Sequence, residues 1–154
     1  MLSPKMEEAL NSQINAELFS SYLYLSIAAY FESTSFPGMA TWMRFQTQEE
    51  NIHAMKIYDF ILERNGKVTL AAIDKPKIEW DSPLNAFEDS LAHEKMITGR
   101  INDLASLAQE EKDHATQAFL QWYVTEQVEE EENDNDIIAQ LKLIGTDKSG
   151  LFML

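Results

Sequence analysis

The chain contains no cysteine. That removes disulfide bonds, thiolate metal ligands and thiol nucleophiles together. Glycine and proline are scarce, at 5 and 4 residues, so regular structure is forced to stop at few points. Basic residues are outnumbered, 12 against 26 acidic ones, for a formal charge of −14. Neutralising phosphates takes clustered Lys and Arg, so the composition argues against nucleic acid as a partner and suits cations. No stretch approaches a membrane span, and the opening MLSPKMEEALNSQ lacks the charged-then-apolar pattern of a signal peptide. The expectation is a cytoplasmic protein with no membrane partner. Strand signals are confined to KVTLAA and KIEW within 67–81, too little for a sheet.

What is present suffices for one domain. The 154 residues are 45% hydrophobic, enough for a single core spanning 1–154. Ser3-Pro4 pairs an N-cap with a proline at the first helical position, and the helix it opens runs to about Phe31. ESTSFPGM interrupts it, Pro37 opens a second helix, and Asn65-Gly66 closes that one. Ser82-Pro83 opens a third; Asp113 in EEKDHA caps a fourth that runs to about Gly145, with NDND at 133–136 as a weak point. Apolar residues recur at three- and four-residue steps, as in Leu10, Ile14, Leu18, Leu25 and Ala28. Met39, Met43, Ile57 and Phe60 do so in the second helix, and Leu84, Phe87, Leu91, Ile101, Ala105 and Ala108 in the third. Two links are short and the one between helices two and three is long. The spacing predicts an all-α four-helix bundle with one long crossover.

Polar residues break these stripes. Glu17 lies between Ile14 and Leu18, Glu50 and His53 between Met43 and Ile57, and Glu94 between Leu91 and Ile101; Gln127 and Glu130 continue the face begun by Phe119 and Tyr123. The interruptions repeat. Glu17 and Glu94 are 77 residues apart, as are Glu49 and Glu126, Glu50 and Gln127, and His53 and Glu130. The chain reads as two related helix hairpins facing each other across a pseudo-two-fold axis.

Any one of these residues alone reads as well as an exposed side chain. Six at a repeated offset do not. Buried carboxylates repel one another, and each costs several kcal/mol of desolvation unless compensated. No Lys or Arg shares these positions, so a multivalent cation is the compensation that remains. Carboxylate oxygens with one imidazole suit iron or manganese, and zinc and copper less specifically. The three-residue step from Glu50 to His53 lets both reach one ion. His93, beside Glu94, faces another way and reads as a surface or near-site residue. His114 reads as solvated, and Trp122 and Tyr123 as core.

NAELFSSYLYLS, EENIHA, HEKMIT and LQWYVTEQVEEE resemble the bacterial non-haem ferritins, and the likeness runs over nearly the whole chain. A Glu from each of two helices plus a Glu-x-x-His motif is the established arrangement of ferritin-like di-iron proteins. By that resemblance Glu17, Glu50 and His53 would bind a first iron, and Glu50 would bridge to a second held by Glu94 and Glu130. Gln127 would hydrogen-bond near the oxygen site, and Tyr24 matches the family's tyrosine beside the centre. Trp122 would lie close to the irons. A third, weaker iron site would use Glu49, Glu126, Glu129 and Glu130. The run Glu129 to Glu132 reads as a solvated face or, with Glu49 and Glu126 clustered beside it, as a cation path toward the protein's interior. Asn51 stands where bacterioferritins carry a haem-ligating Met, so no haem is expected. The ENDND run is more polar than the family's fourth helix, and after SGLFML the family's short fifth helix is expected to be truncated or missing.

The resemblance implies an iron-storage ferroxidase that oxidises Fe2+ to Fe3+ with dioxygen or peroxide, in a homo-oligomeric 24-mer shell. On the residues alone two other readings stay open. One is a di-iron oxidase of an organic substrate, which needs an apolar cavity beside the metals. The other is a non-catalytic, metal-sequestering bundle.

Overall fold

A computed structural model describes residues 1–154. Four long helices form the bundle: α1 (Pro4–Ser33), α2 (Pro37–Glu63), α3 (Pro83–Glu110) and α4 (His114–Ile144), followed by a short α5 (Lys148–Met153). At 1.5 Å per residue, the 27 to 31 residues of the long helices give rods of about 40–47 Å. There is no strand.

Three of the four long helices start on a capping side chain, and α2 opens at Pro37 without one. Ser3 Oγ accepts from the Met6 amide at 3.0 Å, Ser82 Oγ from Asn85 at 3.1 Å and Asp113 Oδ1 from Thr116 at 3.1 Å. Each meets an amide that the first turn leaves unpaired. The ends follow a second rule. After α1, α2 and α3 the chain turns left-handed at Ser35, Asn65 and Lys112, with φ of 65°, 59° and 56°. The next amide then reaches back to a carbonyl of the last turn: Phe36 to Phe31, Gly66 to Ile61 and Asp113 to Ala108, at 2.8–2.9 Å. In the Asn65-Gly66 stop it is therefore Asn65, not the glycine, that takes the left-handed turn.

α1 packs chiefly on α2 and α3 on α4, with α1 also against α3. The crossover from 64 to 82 runs along α1 and is held by side-chain bonds to its backbone. Asn11 Nδ2 donates to the Lys67 carbonyl and its Oδ1 accepts from the Thr69 amide. Asn15 donates to Ala71 and Ala72, and Ser26 to Lys77. The strap thus finds on α1 the partners that a strand would find in a sheet. It ends at Trp80, which is buried and donates to Asp89 on α3.

The core is in two parts. One cluster contains Met6, Leu10, Ile14, Ile57, Ile61, Ile97, Ile101 and Leu120. The other contains Leu23, Ile27, Phe31, Met39, Met43, Phe87, Ile138 and Leu141. In each long helix the polar interruptions fall between them. Leu25, assigned to the inner stripe by its spacing, is 46% exposed; Tyr24 is the buried residue of that turn. Trp122 is 39% exposed and not core, with Lys56 Nζ 3.5 Å above its ring, whereas Tyr123 is buried. The NDND segment does not interrupt α4: Asn135 and Asp136 are exposed, and Asp134 is turned inward. α5 is six residues long, and Leu151 and Leu154 pack against the second cluster.

Lys112 is exposed and adopts a conformation that costs a side-chain-bearing residue about 1–2 kcal/mol. Lys112→Gly removes that strain against a smaller gain in unfolded-chain entropy. The expected net stabilisation is about 0.5–1 kcal/mol, read by calorimetry as a raised melting temperature; a lowered one would overturn the assignment of strain.

Candidate metal centre

All six residues that interrupt the stripes are buried: Glu17, Glu50, His53, Glu94, Gln127 and Glu130 are each at most 3% exposed. Glu17, His53, Glu94 and Gln127 each lie within one turn of a large buried residue of their own helix, Ile14, Ile57, Ile97 and Tyr123, while Glu50 and Glu130 lie about two turns from the buried residues on either side of them; the packing of those flanking turns aims the side chains at the bundle axis. Glu17, Glu50 and His53 bring their ligating atoms within 4.8 Å of one another, as do Glu50, Glu94 and Glu130. Glu50 belongs to both groups. His53 Nδ1 lies 3.1 Å from Glu50 Oε2 and 3.9 Å from Glu17 Oε2. A third group, Glu49, His53, Glu126 and Glu130, opens toward solvent: Glu49 is exposed and Glu126 half-buried. Glu129 is exposed and outside that group, although its charge acts on Glu126.

Neutral donors occupy part of the carboxylates' capacity. Gln13 Nε2 donates to Glu17 Oε1 at 3.0 Å, Gln46 Nε2 to Glu130 Oε2 at 2.8 Å and Gln127 Nε2 to Glu94 Oε2 at 3.0 Å. Tyr24 OH donates to Glu94 Oε1, and Tyr123 OH to the His53 carbonyl. Even so, Glu17 Oε2 and Glu50 Oε1 are buried with no N–H or neutral O–H donor, leaving the two carboxyls within hydrogen-bonding reach only of each other. A buried carboxylate oxygen without such a donor is costly, and two of them aimed into one cluster fit a cation. The donor set, oxygen with one imidazole, fits iron.

Electrostatics agree. Burial, reinforced by the charges of Glu17 and Glu94, holds the Glu50 carboxyl well above the usual range, and burial raises Glu17. Glu94 is pushed up to about 7 by burial, against the bonds from Tyr24 and Gln127. Glu130 is pushed to about 8 by burial and then by the charge of Glu94. His53 is lowered to about 4 by burial and then by Lys56, leaving a neutral imidazole able to ligate.

His93 lies beside the centre and outside the ligand groups. Its Nε2 is 2.7 Å from Ser20 Oγ, its ring is edge-on to Tyr24, and burial lowers it to about 4. His114 is exposed, with Gln117 beside it. Trp122 has its ring 5.1 Å from that of His53.

Sequence reasoning missed Gln13, Gln46, Ser90 and Asp134, all buried. Ser90 Oγ donates to Asp134 Oδ2 at 2.7 Å, and burial lifts that carboxyl to about 6. A signal existed. Gln13, Gln46, Ser90 and Tyr123 each precede an interrupting residue by four positions and so share its helix face, and they fall into two pairs 77 residues apart.

Two overlapping groups of carboxylates with one imidazole, sharing Glu50, inside a four-helix bundle are the arrangement of ferritin-like proteins. Residues 7–144 match the family model for the ferritin-like domain, and the chain belongs to the ferritin family. It is 40% identical to a bacterial non-heme ferritin of Staphylococcus aureus, over 99% of this chain and 92% of that one. The bacterial non-heme ferritin of Staphylococcus epidermidis is 42% identical over the same shares. Among solved structures, an open-pore ferritin from the hyperthermophilic archaeon Archaeoglobus fulgidus superposes with a TM-score of 0.98 at 56% identity, covering 99% of this chain and 94% of that one. A humanized archaeal ferritin gives 0.98 at 55%, with 99% and 93% covered. Family and fold support iron storage and metal binding. No helix is long and apolar enough to cross a membrane.

The raised carboxyls set a pH dependence. A carboxyl whose folded pKa lies above its unfolded value stabilises the fold at low pH, and that contribution is lost as pH rises through the folded value. The lowered His53 and His93 act oppositely, but only up to their ordinary value of 6.5. Between about pH 7 and 8.5 the titration of Glu94 and Glu130 dominates. The metal-free protein should therefore melt at lower temperature at pH 8.5 than at pH 7, and a bound divalent ion should flatten or reverse the trend. A metal-free melting temperature that rises over this interval would contradict the assignment.

Proposed function

We propose that the chain is a ferroxidase subunit of an iron-storage shell. Glu17, Glu50 and His53 hold one ferrous ion, and Glu50, Glu94 and Glu130 hold a second. The observation that carries the reading is the pair of overlapping ligand groups sharing Glu50, with Glu17 Oε2 and Glu50 Oε1 buried without a neutral donor.

Charge supports it. Four ionised carboxylates and a neutral imidazole balance two Fe2+, so the loaded ferrous site is neutral where net charge is most costly. Loading displaces the protons that the raised carboxyls retain. Oxidation of two ferrous ions supplies two electrons, which with two protons reduce dioxygen to hydrogen peroxide; peroxide as oxidant would in turn be reduced to water. The ferric pair carries two more positive charges than the carboxylates neutralise. Hard oxygen ligands stabilise ferric over ferrous iron, while the excess charge favours departure toward Glu49, Glu126 and Glu129, whose solvent-facing positions suit a transfer site. Gln127 and Tyr24 act on Glu94, each fixing one of its oxygens.

Glu17, Glu50, Glu94 and Glu130 are each at most 3% exposed, and this close packing favours ions over an organic substrate beside them. The likeness to one ferritin described as open-pore and another as engineered to a closed form favours a homo-oligomeric shell. We take it as a 24-mer whose acidic surface draws iron inward.

Aerobic oxidation of Fe2+ tests the reaction. Glu50→Ala combined with His53→Ala should slow it at least about 10- to 100-fold, the loss that even outer partners of metal ligands produce when removed. A mere binder would show the same rate with and without the ligands. Native mass before and after iron loading tests storage: a shell of 17.7 kDa chains should gain mass at unchanged subunit number, and a monomer or dimer would overturn it.

A further inference from the structure

We infer that Arg100 is a positioning residue for the metal centre, acting through Gln13 on Glu17. The inference rests on the proposed role of Glu17 as a ligand.

Gln13 is 1% exposed and lies one turn before Glu17 on the same face of α1. Its amide has an accepting end and a donating end, and nothing in the glutamine itself decides which faces Glu17. Arg100, on α3, decides it, because a guanidinium only donates. Arg100 Nε donates to Gln13 Oε1 at 3.0 Å, which leaves Gln13 Nε2 to donate to Glu17 Oε1 at 3.0 Å. The guanidinium is itself anchored. Its Nη2 donates to the Ser12 carbonyl at 3.1 Å and to Ser12 Oγ at 2.9 Å.

The consequence falls on the carboxylate. Glu17 Oε1 is engaged, and Glu17 Oε2 is presented without a neutral donor 3.9 Å from His53 Nδ1. One oxygen is held back and the other offered, which selects ligation through Oε2. A flipped Gln13 amide would set its oxygen against Glu17 Oε1, two acceptors in contact, and the carboxylate would have to turn away. The surface cation thereby acts on a site it does not touch. Arg100 also lines a surface groove of about 450 Å³ with Lys5, Ser12 and Asp103, so shortening it opens onto solvent and leaves no closed void.

Cobalt(II) titration of the metal-free assembly reads the relay, by calorimetry and by d–d absorption. The wild type should bind two Co2+ per chain at the centre. In Arg100→Ala the ion on the Glu17–His53 side should bind about tenfold more weakly with an altered spectrum, and the ion held by Glu94 and Glu130 should be unchanged. Arg100→Lys, which keeps one donor for Gln13, should recover most of the affinity and the wild-type spectrum. Gln13→Ala should show the same loss, and adding Arg100→Ala to it should cost nothing further, since both act in one chain of contacts. Arg100→Met, which retains the packing of the stem, serves if the alanine variant does not fold. An unchanged affinity and spectrum in Arg100→Ala, or additive losses in the double variant, would overturn the relay. A wild type that binds no Co2+ at the centre would overturn instead the reading of Glu17 as a ligand.

Discussion

Four glutamates, one from each helix, are buried together at mid-height in an otherwise apolar bundle, and their mutual repulsion and lost hydration have to be offset locally. Most of the architecture serves that requirement. The apolar core is divided into two clusters, one on either side of the polar layer. Each cluster is large enough to hold the rods in register, so the layer between them need contribute nothing to stability when empty. Capped starts and left-handed stops keep the rods long and straight enough for the ligand turns to meet, and the strap along α1 joins the two hairpins without entering the layer.

Partial compensation comes from neutral groups. Gln13, Gln46 and Gln127 each give an N–H to a different glutamate, and Tyr24 gives a hydroxyl to Glu94. Neutral donors lower the cost of the carboxylates without replacing a cation, as a salt bridge in the same place would. Glu17 Oε2 and Glu50 Oε1 receive no neutral donor, and the raised carboxyls hold protons to higher pH than exposed ones do. Retained protons lower the charge that the buried layer has to carry, and in the proposed reading two ferrous ions would make it neutral. Glu50 is the one carboxylate common to both buried ligand groups.

Much of this was legible in the sequence. The four long helices, their starts at Pro4, Pro37, Pro83 and after Asp113, and the long crossover follow from local signals of capping, proline placement and period, and they lie where the sequence puts them. The six residues interrupting the stripes are all buried, because a polar residue on a helix's apolar face is displaced only if the whole face is. Leu25 and Trp122 were misjudged for the converse reason: a stripe read at steps of three and four drifts around a helix of 3.6 residues per turn, and residues at its edge emerge into solvent. Asp134 was hidden in a run of polar residues, of which Asn135 and Asp136 are exposed and Asn133 partly so, where composition carries no directional information.

The sequence by itself determined which side chains share a helix face and which faces are apolar, because those properties depend on neighbours within one or two turns. Only the tertiary structure decided how each carboxylate is oriented. Gln46 reaches Glu130 across 84 residues, and Arg100 reaches Gln13 across 87. No local period encodes such pairs. They form because helix packing brings a donor from one rod within 3 Å of an acceptor on another, and the same packing leaves Glu17 Oε2 and Glu50 Oε1 without one.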